Sequence, residues 1–353
     1  MSVKKILSPA ASIIKLLIIT ILLVSNSKAD ENNIKHYSED MGILSLMYHR
    51  FDEMKYPSTN IEMKIFKQQM KIIKDTSYKF FDPGELENTF NLHKKEKTIL
   101  ITIDDGFMSF YEKAWPYLKE QKIPFILFVS TEAVGKRGYM NWDQIKEIEK
   151  EPNVYIGNHS YSHDYLINFS NDEFVKDIKK ANKDFINNLG YNPIYFSYPF
   201  GEYSLKIKNY ISQNFKFAFG QHSGVIDINK DKFELPRFPI NEKYGDLKRF
   251  KFLINLYPLQ YKSLLPEDKY VTKIKNPPEL SINFFEKQKN LNNINCFSDE
   301  GNKWEKSNIN LNNYKLKIRF REKFIFRRGR VNCSLNDNGV WRWFGVQFSI
   351  EQD

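Results

Sequence analysis

Short apolar runs that alternate with amphipathic helical segments most constrain the fold of this 353-residue chain. Most of the runs are continuously apolar, as in strands that are covered on both faces of a sheet. The predicted strands are Ile43–Tyr48, Thr98–Ile103, Pro124–Val129, Val154–Gly157, Ile194–Tyr198, Phe215–Phe219 and Leu235–Ile240. The predicted helices are Ile65–Ile73, Tyr111–Lys119, Trp142–Ile148 and Phe174–Leu189. This alternation predicts an α/β fold with a parallel sheet, open or closed into a barrel.

The pattern changes after Leu256, which indicates a second domain. We expect the α/β domain to cover residues 30–256, and residues 257–278, rich in Tyr, Pro and Lys, to form a linker. Residues 279–353 read as a small all-β, sandwich-like accessory domain. Its predicted half-buried strands are Leu316–Phe320, Lys323–Phe326 and Trp341–Phe348. Cys296 and Cys333 are either a disulfide pair or two separately buried thiols.

The first 29 residues have the layout of a secretory signal peptide. Lys4 and Lys5 precede an apolar run over Leu16–Val24, and small residues precede a cleavage point after Ala29. The alternatives are an uncleaved membrane anchor or a buried helix, but the run is short for a membrane span. We therefore expect a periplasmic or secreted protein with no stable membrane insertion after cleavage.

Composition limits the classes of binding partner but does not identify one. A formal net charge of +10 favours an anionic partner, and a mean hydropathy of −0.54 excludes a polytopic membrane protein. Export argues against nucleic acid. Six arginines interleave with aromatic residues in the C-terminal section: Arg319, Arg321, Arg327, Arg328, Arg330 and Arg342. They form either a solvated face or a polysaccharide-binding surface, and the same mixture suits stacking on sugars.

Titratable residues collect directly after the predicted strands. His49, His159, His163 and His222 follow strands, and Asp104-Asp105 follows Thr98–Ile103. Active sites of parallel α/β folds lie at the carboxyl ends of the strands, so we expect these side chains to share one site.

Three of these side chains suit a catalytic metal. Asp105, His159 and His163 offer one carboxylate and two imidazoles, which leaves a coordination position open for water on an ion such as Zn²⁺. Adjacent acids point in different directions, so Asp104 can stay free as a base while Asp105 binds the metal. Gly106 lets the backbone turn sharply behind them.

Three motifs in this order resemble the NodB-homology polysaccharide deacetylases, carbohydrate esterase family four. They are Thr102-Ile103-Asp104-Asp105-Gly106, His159-Ser160-Tyr161-Ser162-His163 and Tyr198-Pro199-Phe200-Gly201. The resemblance implies a distorted (β/α) barrel of about seven strands that removes N-acetyl groups from hexosamine polymers. It also implies metal binding by Asp105, His159 and His163, with Asp104 as the catalytic base.

Two departures from the family pattern shape the remaining assignments. Ser197 stands where the family often has an arginine that orients the base, and Arg50 or Arg237 could supply that charge. The usual C-terminal Leu-x-x-His motif is not evident, but Leu46-Met47-Tyr48-His49 is similar to the circularly permuted poly-β-1,6-N-acetylglucosamine deacetylases. We therefore favour His49 as general acid, with His222 as the alternative.

The expected function is that of an exported, metal-dependent hydrolase of an N-acetylated polysaccharide. Water activated by a divalent metal, with zinc the first candidate, would attack the amide while Asp104 accepts its proton. We expect Tyr198, Pro199 and Arg237 to contact the substrate, with a backbone N–H near Tyr198 or Pro199 holding the oxyanion. The alternatives are a non-catalytic glycan-binding protein with a degenerate barrel and a hydrolase of a small amide or imide.

Overall fold

The computed structural model describes residues 42–91 and 96–352. The predicted signal peptide over residues 1–29 lies outside the described residues. Within the described ranges, no helix is both long enough and apolar enough to span a membrane.

The described residues of the first part of the chain form eleven strands. They are β1 Ile43–Tyr48, β2 Arg50–Phe51, β3 Asn60–Ile61, β4 Lys79–Phe80, β5 Thr98–Ile103, β6 Phe125–Val129, β7 Val154–Asn158, β8 Tyr195–Ser197, β9 Phe217–Phe219, β10 Val225–Ile226 and β11 Phe238–Pro239. The bounds of β1 and β5 are those predicted from their apolar runs, and every residue of β1 is buried.

Seven of these strands form a curled half-barrel. The order is β10-β1-β5-β6-β7-β8-β9, and every neighbouring pair is parallel except β10 with β1. Strand β11 pairs with β1 and β4 with β5, also in parallel. The predicted distorted barrel is therefore confirmed, and its parallel pairing brings the carboxyl ends of β1, β5, β7 and β8 to one edge.

Helices of this region cover the sheet. They are α1 Met63–Lys74, α2 Leu86–Asn91, α3 Trp115–Glu120, α4 Trp142–Glu149, α5 Asn171–Leu189, α6 Leu205–Asn214 and α7 Leu247–Leu253. Helix α5 shows how the sequence sets the bounds. Ser170 and Glu173 form a reciprocal capping box, and Gly190 ends the helix in the left-handed conformation at φ 85°.

Ten strands make up the C-terminal part. They are β12 Tyr257–Pro258, β13 Ser263–Leu265, β14 Tyr270–Val271, β15 Leu280–Asn283, β16 Ile294–Ser298, β17 Glu305–Lys306, β18 Asn308–Asn312, β19 Lys315–Arg319, β20 Arg328–Asp337 and β21 Val340–Ile350. They form a six-stranded and a four-stranded sheet that enclose one apolar core. Cys296 and Cys333 lie opposite each other on β16 and β20 and form a disulfide.

Two details differ from the sequence predictions. The segment 257–278, for which we predict a linker, contains three short strands, and β12 and β14 both pair with β21. The predicted strand Lys323–Phe326 is wrong, because these residues join no sheet. Phe324 is buried against Phe320 and Phe348, whereas Phe326 is half exposed. The two rings therefore do not share one buried face, as they would in a half-buried strand.

The β-sandwich packs directly on the barrel. A Cβ at Gly345 of β21 would lie 2.1 Å from the carbonyl oxygen of Ser223, so only glycine permits this approach. Two residues further along β21, buried Gln347 donates hydrogen bonds to the carbonyl oxygens of Phe200 (3.0 Å) and Gly201 (3.1 Å). The sandwich is thereby attached to the third motif.

Candidate active site

The strand ends bring the predicted acids and histidines together. Asp104 follows β5, and its backbone N–H donates to the carbonyl oxygen of Tyr48 on β1 (2.9 Å). His49 is the next residue on that strand, and His159 directly follows β7. Parallel pairing of β1, β5, β6 and β7 therefore gathers residues that lie far apart in sequence at one edge.

Asp105, His159 and His163 form a compact group of ligand atoms. Asp105 Oδ1 lies 3.1 Å from His163 Nε2 and 3.4 Å from His159 Nε2, and one ligand atom from each residue lies within 4.8 Å of the others. Burial by itself would raise the pKa of Asp105, but the nearby imidazoles hold that pKa well below its usual value. Asp105 is therefore anionic at neutral pH, as a metal-binding carboxylate needs to be.

The hydrogen bonding of this group fits a bound cation. The buried atoms Asp105 Oδ1 and His159 Nε2 have no hydrogen-bond partner among the described residues. On the other side of its ring, His159 Nδ1 donates to the carbonyl oxygen of Ser197 (2.7 Å). When the ring is neutral, this bond leaves the lone pair on Nε2, as is usual for metal-binding histidines. Two buried ligand atoms that face each other without a hydrogen bond would suit a bound cation.

The loop that carries both histidines is held by an acid on helix α5. Asp177 accepts hydrogen bonds from the backbone N–H groups of Tyr161 (2.9 Å) and Ser162 (3.0 Å). Ser160 and His163 themselves have φ values of 68° and 54°, a strained conformation for residues other than glycine. The strain indicates that the surrounding contacts determine where the imidazoles lie.

Asp104 forms a fully buried, bidentate ion pair. Arg237 of the β10–β11 region donates to both its carboxylate oxygens, at 2.7 and 2.9 Å, and both side chains are fully buried. Arg237 also donates to Gly220 O (2.9 Å), Thr102 Oγ1 (3.2 Å) and Ser197 Oγ (2.8 Å). All five of its N–H donors have acceptors. Burial opposes ionisation of Asp104, but Arg237 and His159 keep its pKa below the ordinary value.

This geometry corrects the assignment of Arg237 to substrate binding. With no exposed surface and with five acceptors inside the protein, its guanidinium has no free face for a ligand. Its hydrogen bond to the Ser197 hydroxyl instead places it beside the third motif, where the arginine of the family would orient the base. Arg50 is excluded from that role because it pairs with Glu53 at 2.9 Å and stacks over Phe107.

Tyr198 and Pro199 are also corrected. Tyr198 is buried in the core below α5 and α6, its hydroxyl donates to Phe233 O, and its backbone N–H donates to Phe219 O. Neither group is available to a substrate, and Pro199 is buried and has no N–H. The residue of this motif that lines the cavity is Phe200. Its φ of 58° and its ring contacts with His163 and Tyr165 mark it, but the motif alone did not single it out.

The two candidate general acids have different surroundings. Both line a cavity of about 680 Å³ together with Asp105 and His163. Burial lowers the pKa of His49, and the carboxylates of Asp105 and Asp104 oppose that shift. Burial lowers the pKa of His222 to about 4, and the charges that act on it are those of Glu234, Lys269 and Arg237. His49 therefore belongs electrostatically to the acid pair, whereas His222 belongs to a buried cluster beneath the sandwich.

Several residues of this cavity were not predicted to lie at the active site, although Arg328 and Arg330 belong to the possible polysaccharide-binding surface of the C-terminal section. Residues of both parts of the chain line it: Lys243 and Arg249 come from the barrel side, and Trp304, Arg328, Arg330 and Trp343 from the sandwich. The alternating burial of β20 indicates which of its residues share a face, but not that this face covers the site. Asp177 had a clearer signal, because it is an acid on the apolar face of α5 between Phe174 and Ile178.

Comparisons with known proteins agree with this arrangement. Residues 91–216 match the polysaccharide deacetylase family. YxkH of Bacillus subtilis, named after the same family, is 28% identical over 161 residues, which are 45% of this chain and 57% of that protein. Poly-β-1,6-N-acetyl-D-glucosamine N-deacetylase of Staphylococcus aureus is 23% identical over 62% of this chain and 85% of its own length.

A solved structure extends the likeness to the fold. IcaB from Ammonifex degensii has a TM-score of 0.53 and 26% identity over 60% of this chain and 97% of its own. The match to the family falls on the strands and loops that carry Asp104, Asp105, His159, His163 and the third motif. The chain therefore contains a polysaccharide deacetylase domain of the NodB-homology family, carbohydrate esterase family four.

Proposed function

We propose that this protein is a metal-dependent hydrolase that removes N-acetyl groups from a hexosamine-containing polysaccharide. The observation that carries the proposal is the juxtaposition of the Asp105–His159–His163 group with the Asp104–Arg237 pair. The similarity to the staphylococcal enzyme supports a β-1,6-linked N-acetylglucosamine polymer as the first substrate to test.

The residues present fit a divalent metal, and zinc is our first candidate. Asp105, His159 and His163 would hold it, and two imidazoles with one carboxylate are typical of catalytic zinc sites. Such an ion, when bound, polarises a carbonyl group and lowers the pKa of water to about 7.

Asp104 acts as the base in this proposal. Its carboxylate is ionised and held by Arg237 in one orientation, and its Oδ2 lies 3.8 Å from His159 Nε2. It would accept the proton of the attacking water at this edge of the ligand group. The N–H donors of Arg237 on both oxygens limit the basicity of Asp104 but hold its carboxylate in place beside His159.

His49 acts as the general acid and delivers a proton to the departing amine. This role rests on its place at the end of β1, beside the two acids, and in the wall of the cavity. His222 is the comparison. Removing the imidazole of His49 should cost roughly 10²–10⁴-fold in turnover, and removing that of His222 much less. A larger loss in His222→Ala than in His49→Ala would reverse the assignment.

The base and the ligands can be separated by experiment. In Asp104→Asn, we expect acetate release from β-1,6-linked N-acetylglucosamine oligomers to vanish while bound metal stays at wild-type stoichiometry. In His163→Ala, both should be lost. Full activity in Asp104→Asn would refute its role as base. Undetectable acetate release from every oligomer by the metal-loaded wild type, together with intact glycan binding, would favour the non-catalytic glycan-binding alternative.

We also propose that the protein works outside the cytoplasm. The Cys296–Cys333 disulfide supports this, because such bonds persist mainly in oxidising compartments. N-terminal sequencing of protein recovered from the periplasm or the medium tests the proposed cleavage after Ala29. A mature protein that begins at Met1 in the cytoplasmic fraction would contradict it.

A further inference from the structure

One strand of the sandwich presents a row of polar side chains to the candidate active site. Arg328, Arg330 and Asn332 alternate along β20 with residues that point into the sandwich core, such as Val331 and Cys333. All three polar residues line the cavity that also contains His49, Asp105 and His163. The cavity is therefore formed by the barrel and the sandwich together.

The charges that line this cavity are mostly positive. Four basic side chains contribute to its wall among the described residues: Lys243, Arg249, Arg328 and Arg330. The one carboxylate in the wall is that of Asp105, which belongs to the ligand group. A neutral glycan needs no such excess of positive charge, whereas an anionic glycan would be attracted by it.

Each of the two arginines of β20 is paired with a carboxylate but remains partly exposed to solvent. Arg328 Nε lies 3.7 Å from Glu202, and Arg330 Nη1 lies 3.5 Å from Asp299. These separations are long compared with the 2.7 Å of the buried Arg237–Asp104 pair. The side chains of Arg328 and Arg330 are 30% and 41% exposed. They can therefore bind a second anion without leaving their present partners.

A second cavity shares these two arginines with the first and is lined by none of the ligand group Asp105, His159 and His163. It measures about 300 Å³, and Arg328 and Arg330 line both cavities. Its wall includes Tyr165 and Phe326, and Trp304, in the wall of the first cavity, is 41% exposed. Aromatic rings next to basic groups suit a polymer whose sugar rings stack while its charged substituents pair. Arg328 and Arg330 lie at the boundary of the two cavities, where a bound polymer would pass from the first to the second.

We propose that Arg328 and Arg330 form a subsite for the carboxylate of an acidic sugar, such as a hexuronic acid, next to the N-acetylhexosamine that is deacetylated. This inference rests on the proposed function for the identity of the neighbouring sugar. The planar fork of a guanidinium matches a carboxylate in a bidentate geometry, which favours arginine over lysine at such a place. The substrate would then be an acidic heteropolymer.

A matched pair of ligands tests the charge directly. The first is an oligosaccharide of alternating N-acetylglucosamine and glucuronic acid, and the second is the same oligosaccharide with its carboxyl groups converted to carboxamides. Affinities are measured by calorimetry on zinc-loaded Asp104→Asn protein, so that turnover does not interfere. We expect amidation to weaken binding by about tenfold, and we expect higher salt to reduce this difference.

The arginines are tested by substitution in the same background. In Arg328→Gln/Arg330→Gln, amidation should change affinity by less than about twofold, and Arg328→Lys/Arg330→Lys should restore part of the preference. Arg319→Gln is the matched control, because Arg319 is an exposed arginine of the same domain that lines neither cavity. It should keep the full preference. Equal affinities for the two ligands, no measurable binding of either, or a preference that survives in the double glutamine variant would overturn the proposal.

Acetate release separates this inference from the proposed function. It is measured on neutral β-1,6-linked N-acetylglucosamine oligomers with wild-type protein and with the double glutamine variant. Failure of the wild type to release acetate from both these neutral oligomers and the oligosaccharide that contains glucuronic acid refutes the proposed function but leaves the affinity comparison intact. Release by both proteins, with no carboxylate preference in binding, refutes only the subsite.

Discussion

The buried pair of Arg237 and Asp104 yields the most demanding prediction. Both side chains are fully buried, and two short charge-assisted hydrogen bonds join them. Replacing Arg237 with Gln leaves a buried carboxylate without its counter-charge, which typically costs about 3–5 kcal/mol of the free energy of unfolding. Asp104→Asn leaves the guanidinium without its counter-charge but with four neutral acceptors, which are Gly220 O, Thr102 Oγ1, Ser197 Oγ and the new amide oxygen, so we expect a smaller cost of about 2–3 kcal/mol.

The assay is a double-mutant cycle by denaturant unfolding of the metal-free proteins. Once one partner is neutral, removing the other charge relieves a buried unpaired group, so the double variant should be more stable than the two single costs predict. We expect a coupling free energy of at least about 2 kcal/mol. Costs that add to within roughly 0.5 kcal/mol would refute the view that this pair forms one electrostatic unit.

Arg237→Lys gives a kinetic companion to this cycle. Lysine keeps the charge but offers three donors instead of five, so it cannot bind both carboxylate oxygens and also reach Gly220, Thr102 and Ser197. We expect kcat for acetate release to fall by about 10²-fold with little change in KM, since the base loses its orientation. An unchanged kcat would show that the bidentate contact of the Arg237 guanidinium with Asp104 is not needed for turnover.

Four further predictions concern the supports of the site. Asp177→Ala should weaken metal affinity roughly 10–100-fold, because the backbone of Tyr161 and Ser162 loses its acceptor; unchanged affinity in a metal titration would contradict this. Gln347→Ala should leave the carbonyl groups of Phe200 and Gly201 without this donor and lower the free energy of unfolding by about 1–3 kcal/mol; an unchanged unfolding midpoint would count against the anchoring role. Burial raises the pKa of Glu202 from 4.5 to about 7, so its contribution to stability is complete below about pH 4.5 and is lost as pH rises through 7. Glu202→Gln should remove that pH dependence. At about 1.4 kcal/mol per pKa unit, the dependence of the free energy of unfolding exceeds 1 kcal/mol. Parallel pH profiles of the free energy of unfolding for variant and wild type would contradict this prediction. Cys296→Ser/Cys333→Ser removes a bond that closes a loop with a sequence separation of 37 and should cost about 2–4 kcal/mol, so an equal unfolding midpoint after both changes would be unexpected.

The sequence predicted the features that depend on local pattern. Strands β1 and β5 have the predicted bounds because a continuous apolar run ends at a histidine or an aspartate that cannot be buried without partners. Helix α5 ends at Leu189 as predicted, because Gly190 after it tolerates the positive φ of this helix end. The gathering of Asp105, His159 and His163 follows from the parallel sheet and needed no knowledge of side-chain contacts.

Features that depend on long-range contacts were not predictable. Arg237 is 133 residues from Asp104, and two candidate arginines were indistinguishable until the fold placed one of them under the acid. Tyr198 belongs to a matching motif, yet strand alternation turns its ring into the core and leaves Phe200 to line the cavity. Two of the three short strands within residues 257–278, β12 and β14, pair with β21, which lies more than 60 residues later in the sequence.

The packing of the sandwich against the site is the main feature that the structure reveals and the sequence does not. The sequence shows arginines and aromatic residues in the C-terminal section but does not show which face of that domain they occupy. The close approach at Gly345 and the hydrogen bonds of Gln347 place β20 and β21 against the barrel. The sandwich therefore forms part of the cavity that contains the candidate site, which supports the proposed role in selecting the polymer.

The central claim is that Asp105, His159 and His163 hold a metal on which N-deacetylation depends. Acetate release from β-1,6-linked N-acetylglucosamine oligomers, measured before chelation, after chelation and after addition of one equivalent of Zn²⁺, tests it most directly. We predict loss of activity on chelation and recovery with zinc in the wild type, and no recovery in His163→Ala. Activity that persists unchanged after complete metal removal would contradict the account.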